Sequence, residues 1–273
     1  MCLKKDYLVV GLTTYHTENL AISVPALARF SKKIILIIYN DNPDVKLTRH
    51  DIRKLGYHGK LYIINTQKNV GQLRARLSIL EYAQKKHTNN TWFIFVDDDD
   101  ALLNINIPNV SSRHFAIIQN MAVIKNRLVD VLRIMKNPYD FAIDNENTYI
   151  VRPHMGLSGT FIKMTAALKM MQVLNDAHQT ISDIDESLSY RPPVDTMMWS
   201  ALNIISRNTD DKATPIYMDT INYLATDLDN VTTKYGMKIA TGKNAQQQII
   251  RAIAKYDAAV RAALSAAAPV GQQ

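Results

Sequence analysis

Through the first hundred residues, short apolar runs of strand length alternate with stretches whose apolar residues recur at helical spacing. Residues 7–12 form the first such run, and residues 19–30 follow at helical period. Residues 33–40 hold four isoleucines and a leucine and end in the turn signal Asn40-Asp41-Asn42-Pro43. Residues 61–65 predict a third strand. Residues 71–86, with Leu73, Leu77 and Leu80 on one stripe, predict a helix, and residues 92–96 a fourth strand. This alternation predicts an α/β fold with a parallel sheet covered by helices.

Beyond residue 110 the pattern loosens. It predicts a long helix over 115–135, an irregular strand pair over 141–151, and helices over 165–175 and 195–205, the last preceded by the rigid Pro192-Pro193. Residues 244–268 predict an amphipathic helix, with Ile249, Ile253, Tyr256, Val260 and Leu264 on one stripe and Arg251, Lys255 and Arg261 elsewhere.

At 273 residues and 47% hydrophobic, the chain has enough apolar material for a large core, which excludes a disordered or fibrous protein. Its one cysteine, Cys2, cannot form an internal disulfide, so a reducing compartment, the cytoplasm, is expected. No apolar run approaches the roughly 18 residues of a membrane span, and the opening residues lack the pattern of a signal peptide. The oligomeric state is not fixed by any pattern in the chain.

Charge changes the picture once it is divided. The net +7 is composed of +9 over residues 1–90 (15 basic, 6 acidic), −7 over 91–229 (11 and 18) and +5 over 230–273 (6 and 1). Basic ends around an acidic middle suit anionic ligands at the ends and a cation in between.

In open α/β sheets ligands gather at the carboxyl ends of the strands. Here those ends read Thr13-Thr14-Tyr15-His16, Asn40-Asp41-Asn42, Lys68-Asn69-Val70-Gly71 and Asp97-Asp98-Asp99-Asp100. If the chain stays extended past residue 96, Asp97 and Asp99 project to one side and can approach one ion together. Hard divalent cations, Mg2+ or Mn2+, take such carboxylate oxygens and keep water or phosphate as further ligands.

Residues 7–100 resemble the nucleotide-binding half of a GT-A fold glycosyltransferase of the family 2 type. The strand and motif Trp92-Phe-Ile-Phe-Val-Asp97-Asp98-Asp99 carry the likeness, with Asn69-Val-Gly71 and Ala75-Arg76 matching a second segment. The resemblance implies a Rossmann-like, mostly parallel sheet flanked by helices, with a C-terminal helical extension. It implies a nucleoside-diphosphate sugar, uridine diphosphate (UDP) first, bound by Thr13, Thr14, Tyr15, Asp41, Asn69, Gly71, Arg76 and Asp97. Asp97 and Asp99 would hold Mn2+ or Mg2+, with Arg74 or Lys68 as additional positive charge. The base-reading Asp41 sits in Asn40-Asp-Asn-Pro43, which departs from the family's Asp-Asp-Gly-Ser.

The segment Gly156-Leu-Ser-Gly159 resembles the family's sugar-facing loop, and Pro193-Val-Asp195 its acidic helix start, making Asp195 the candidate general base of an inverting transfer. Asp185 and Glu186 are rivals. Asp219, Asp227 or Asp229 could complete a metal site, and His16 and His154 lie in suitable loops. On this division residues 1–105 bind the nucleotide sugar, 106–230 bind the acceptor and carry the chemistry, and 231–273 form a basic tail.

The tail favours a polyanionic acceptor, with the tail lysines and arginines on phosphates and Trp199 or Tyr190 stacking on an extruded base. A diffuse likeness in size to phage enzymes that glycosylate hydroxymethylcytosine in DNA points the same way. The alternative is a saccharide or lipid-linked acceptor. A nucleotidyltransferase lacks support because the loop after the first strand is not glycine-rich. A noncatalytic DNA-binding protein would leave the strand-end aspartates without a role.

Overall fold

The computed structural model describes residues 8–87, 92–125, 148–151, 157–182, 194–207 and 214–227, together with Ala254, Ala258, Ala259, Arg261 and Ala262 of the tail. The elements are β1 (Leu8–Thr14), α1 (Leu20–Ala28), β2 (Ile34–Asn40), α2 (Arg49–Lys54), β3 (Lys60–Asn65), α3 (Gly71–Lys86), β4 (Trp92–Asp97) and β5 (Ala101–Leu102). They continue with β6 (His114–Lys125), β7 (Thr148–Val151), β8 (Phe161–Lys163), α4 (Met164–Ser182), α5 (Val194–Arg207) and β9 (Thr214–Asp227).

The α/β architecture expected from the alternating pattern is what the structure has. One sheet runs in the order β3-β2-β1-β4-β8-β6-β9-β5, with β7 paired to β6. The first four strands are parallel. β8 then joins antiparallel to both β4 and β6, so one sheet passes through both halves of the chain.

Strand alternation sends neighbours to opposite layers. Val9, Ile35, Ile37, Phe93 and Phe95 pack with α3, α4 and α5, whereas Val10, Leu36, Ile38, Ile94 and Val96 pack with α1 and α2. Because both faces are covered, β2 is buried along its whole length, which explains its continuous run of apolar residues. Each such fully buried Ile or Leu contributes about 1.5–3 kcal/mol. Gly11 lets the layers close: a Cβ there would lie 2.7 Å from Phe93 and 2.8 Å from Ile79.

One expected element is corrected. Residues 115–125, read as part of a long helix, form strand β6. Phe115 and Ile118 face one layer and Ile117 the other, so this apolar run belongs to a strand covered on both faces, whose periodicity resembles that of a buried helix. Residues 126–135 of that expectation lie outside the described residues. β7 supplies the end of the expected 141–151 strand pair. The helices expected at 165–175 and 195–205 are present as the longer α4 and α5. Of the expected tail helix, the described residues are helical, and Ala259 packs against the layer formed by α3, α4 and α5. No helix among the described residues is long and apolar enough to cross a membrane.

Candidate functional site

Register alone assembles the mouth of the site. Thr13 lies opposite Tyr39 and Asp97, and Thr14 opposite Asn40, so β1, β2 and β4 end level with one another. The loops that leave them meet above the sheet.

Arg76 is the centre of this assembly. Carried by α3 and 1% exposed, its guanidinium donates to Asp97 Oδ1 at 2.8 Å, to Ser158 Oγ at 2.9 Å, and to Asp195 Oδ1. It also lies over the Phe95 ring, 5.1 Å from its centroid. Burial works against its charge, but Asp195 and Asp97 outweigh that cost and raise its pKa above the ordinary arginine value. The two carboxylates keep more contact with solvent, Asp97 at 29% and Asp195 at 42% side-chain exposure. Arg76 therefore joins the strand-end acid to the acid at the start of α5, 119 residues away in sequence. As a buried hub it positions carboxylates and does not present its charge at the surface.

The four aspartates diverge. The backbone turns after β4, with the Asp100 N–H donating to the Asp97 carbonyl at 3.3 Å. The extended alternation that would have set Asp97 beside Asp99 is thereby replaced by a turn. Asp97 takes Arg76, Asp98 accepts the Thr14 hydroxyl at 2.6 Å, and Asp100 hydrogen-bonds Tyr223. Asp99 is buried. Desolvation, with Asp99 and Asp97 nearby, pushes the Asp98 pKa up to about 7, against the hydrogen bonds from Thr14 and Asn19.

Such crowding of negative charge in an all-oxygen donor set suits a hard divalent cation, which would relieve it. Among the described residues no three His, Cys, Asp or Glu side chains group to hold an ion.

Tyr223 and Gly159 support the mouth from beneath. The buried Tyr223 hydroxyl accepts the Asp97 N–H at 2.9 Å. Its ring lies against Gly159, where a Cβ would fall 2.6 Å from Cγ and where φ is +82°. The Gly159 N–H donates to the Phe95 carbonyl at 2.9 Å, which fixes Ser158 beside Arg76.

The nucleotide-side residues divide by exposure. Asp41 is buried, and its oxygens accept the N–H groups of Val70 (2.8 Å) and Gly71 (2.9 Å), tying the end of β2 to the start of α3. Desolvation raises its pKa, opposed by those two hydrogen bonds. Asn69 Oδ1 accepts the same Gly71 N–H at 3.0 Å, at a glycine whose φ is +79°. Tyr15 is exposed at 42%, its ring edge-to-face with His16 at 5.2 Å. His16 pairs with Glu18. Arg74 is bound to Glu81 and Asn175, within the packing of α3 on α4. Lys68 is exposed in its loop.

Several expectations fall elsewhere. Trp199 is 7% exposed and packs 6.3 Å from Phe115, so it is a core residue and not a platform for an extruded base; α5 turns that face inward. Asp219 accepts a hydrogen bond from Asn120 on the neighbouring strand. The Asp227 side chain and residues His154, Gly156, Asp185, Glu186, Tyr190 and Asp229 lie outside the described residues, as do the tail cations other than Arg261. Sequence reasoning missed Ser158 as a ligand of Arg76, although its loop had been singled out. It also missed Tyr223, which no spacing signals.

No protein-family model and no curated protein matches this chain. Among solved structures it is similar to S. aureus TarS, at 12% identity and TM-score 0.48, over 92% of this chain and 42% of that one. A TarS 1-349 structure gives 13% and 0.48 over 95% and 82%. GalNAc-T7 with UDP, GalNAc and Mn2+ gives 17% and 0.32 over 45% and 24%. The chain thus spans about two fifths of the longer TarS chain. Its architecture rests on its own strand order and on the register that brings Thr13, Asn40 and Asp97 to one end of the sheet.

Proposed function

We propose that this chain is a glycosyltransferase that moves a sugar from a nucleoside-diphosphate sugar, UDP-linked first, to a hydroxyl acceptor. The observation that carries the reading is the Arg76 hub, which holds a strand-end carboxylate and a second, more exposed carboxylate at one mouth. Asp195, anchored through Oδ1 and 42% exposed, takes the acceptor's proton as general base. The acceptor oxygen forms a bond to the anomeric carbon as the bond from that carbon to the diphosphate oxygen breaks, with inversion. Asp99, with Asp97, would hold Mn2+ or Mg2+, whose positive charge offsets that of the leaving diphosphate.

In this reading the exposed Tyr15 ring meets the base, beside Thr13 and Thr14. Asp41 and Asn69 act by shaping the Val70–Gly71 turn that borders the nucleotide. The favoured acceptor is hydroxymethylated cytosine in DNA, supported by the basic ends of the chain, and the work takes place in the cytoplasm. A saccharide or lipid-linked acceptor is the competing form.

The test is hydrolysis and transfer with a panel of nucleotide sugars, with and without Mn2+, followed by mass spectrometry of DNA containing hydroxymethylcytosine. Metal-dependent turnover that disappears in Asp99→Ala supports the reading. Full turnover in that variant refutes the site, and a modified glycan with unmodified DNA refutes the acceptor.

A further inference from the structure

We propose that Asn120 of β6 with Tyr217 and Asp219 of β9 forms a subsite for a neutral sugar ring, on the far side of the mouth from Tyr15. The three side chains are joined. The Tyr217 hydroxyl donates to Asn120 Oδ1, and Asn120 Nδ2 donates to Asp219 Oδ1 at 2.7 Å. Asn120 is 1% exposed, whereas Tyr217 is 44% exposed and Asp219 is also exposed. A buried amide thus fixes the orientation of an outward ring and an outward carboxylate.

Strand pairing explains why they stand out of the sheet. From Ile118 to Asn120, β6 advances two residues while β9 advances four, from Tyr217 to Ile221. A bulge of this kind leaves residues unpaired and re-aims their side chains. Register also places the group beside the mouth. Phe93 of β4 and Ala116 of β6 both stand opposite Ile162 of β8, and both strands run antiparallel to it. Four residues further along each come Asp97 and Asn120, which are therefore level and about 10 Å apart at two strand spacings. Phe93, Phe95, Ala116 and Ile118 pack into one layer, so alternation puts Asp97 and Asn120 on that same face. Tyr223, four residues beyond Asp219, spans the gap by accepting the Asp97 N–H.

The chemistry selects the ligand. A sugar ring lays its C–H face on an aromatic ring and donates its hydroxyls to a carboxylate, and Tyr217 with Asp219 offers both. Asn120 fixes one oxygen of Asp219, and a carboxylate with about four acceptor positions has room for hydroxyls beside its protein partners. A phosphate would be repelled by that carboxylate, within a segment, residues 91–229, that holds 18 acidic and 11 basic side chains. The exposed Tyr15 lies just past β1, the neighbour of β4 on its other side, so two exposed tyrosines flank Asp97. The role of the subsite in transfer rests on the glycosyltransferase reading, with the ring supplied by the donor or by a saccharide acceptor. Its affinity for a sugar does not depend on that reading.

The experiment is titration calorimetry of the full chain with UDP, with a panel of UDP-sugars, and with saccharides selected on an array of immobilised glycans. If the donor's sugar fills the subsite, Tyr217→Ala and Asp219→Asn each weaken UDP-sugar binding by about tenfold and leave UDP binding unchanged. If an acceptor sugar fills it, they weaken saccharide binding by about tenfold and leave UDP and UDP-sugars unchanged. Tyr217→Phe, which keeps the ring and loses its tether, should fall between Tyr217→Ala and the parent, with circular dichroism checking the fold of each variant. Unchanged affinities for UDP-sugars and saccharides in both Tyr217→Ala and Asp219→Asn overturn the proposal, as does a parent chain that binds neither. Tyr217-dependent sugar binding by a chain that turns over no nucleotide sugar keeps the subsite and refutes the transferase reading.

Discussion

Arg76 offers the most direct test of how the site is built. Arg76→Met keeps the length and apolar stem of the side chain but removes the guanidinium, leaving Asp97, Asp195 and Ser158 without their shared donor. Loss of one partner of a buried ion pair costs about 3–5 kcal/mol when the other charge stays buried. Here Asp97 is 29% and Asp195 42% exposed, so water re-solvates both carboxylates in part, and the Asp195 contact counts for less than about 1 kcal/mol. The charge-assisted bond to Asp97 contributes about 1.5–3 kcal/mol. The loss of the Ser158 bond is largely offset, because Met no longer requires the desolvation of a buried charge.

The expected destabilisation is about 2–4 kcal/mol, read as a lower urea midpoint at unchanged m-value. In the transfer assay kcat should fall by about a hundredfold with a smaller change in KM, because the displaced Asp195 impairs the reacting geometry. A double-mutant cycle of Arg76→Met with Asp195→Asn should show clear coupling. A variant as stable as the parent, with independent effects in the cycle, refutes the hub.

Two further outcomes follow from the same neighbourhood. Burial pushes the Asp98 carboxyl from its ordinary 3.8 up to about 7 in the folded state, so between those values the folded state holds the extra proton and stability falls as pH rises, levelling off above about 7. Chemical denaturation at pH 5 and pH 8 should show the parent losing about 2–4 kcal/mol while Asp98→Asn stays nearly flat, and parallel curves would remove Asp98 as the cause. Gly159→Ala should destabilise by at least about 2 kcal/mol, since it combines a left-handed φ with a contact 2.6 Å from the Tyr223 ring. A melting temperature equal to the parent's would contradict the packing of that loop.

The sequence by itself determined the first half of the sheet and the line of its mouth. Continuous apolar runs such as Ile34 to Ile38 are legible because a strand buried on both faces needs no polar positions, and its polar ends mark where it leaves the layers. Thr14, Asp41, Gly71 and the aspartate run were visible for that reason. β6 was misread because a twice-covered strand and a buried helix share the same composition. What only the tertiary structure decided was the partner of each charge. Asp195 meets Arg76 across 119 positions, Tyr223 reaches Asp97 across 126, and Asp41 spends its carboxylate on the start of α3. Such pairings depend on strand order and helix placement, which local periodicity does not encode. The same packing turned Trp199 into core and turned four adjacent aspartates, alike in sequence, into groups with different neighbours.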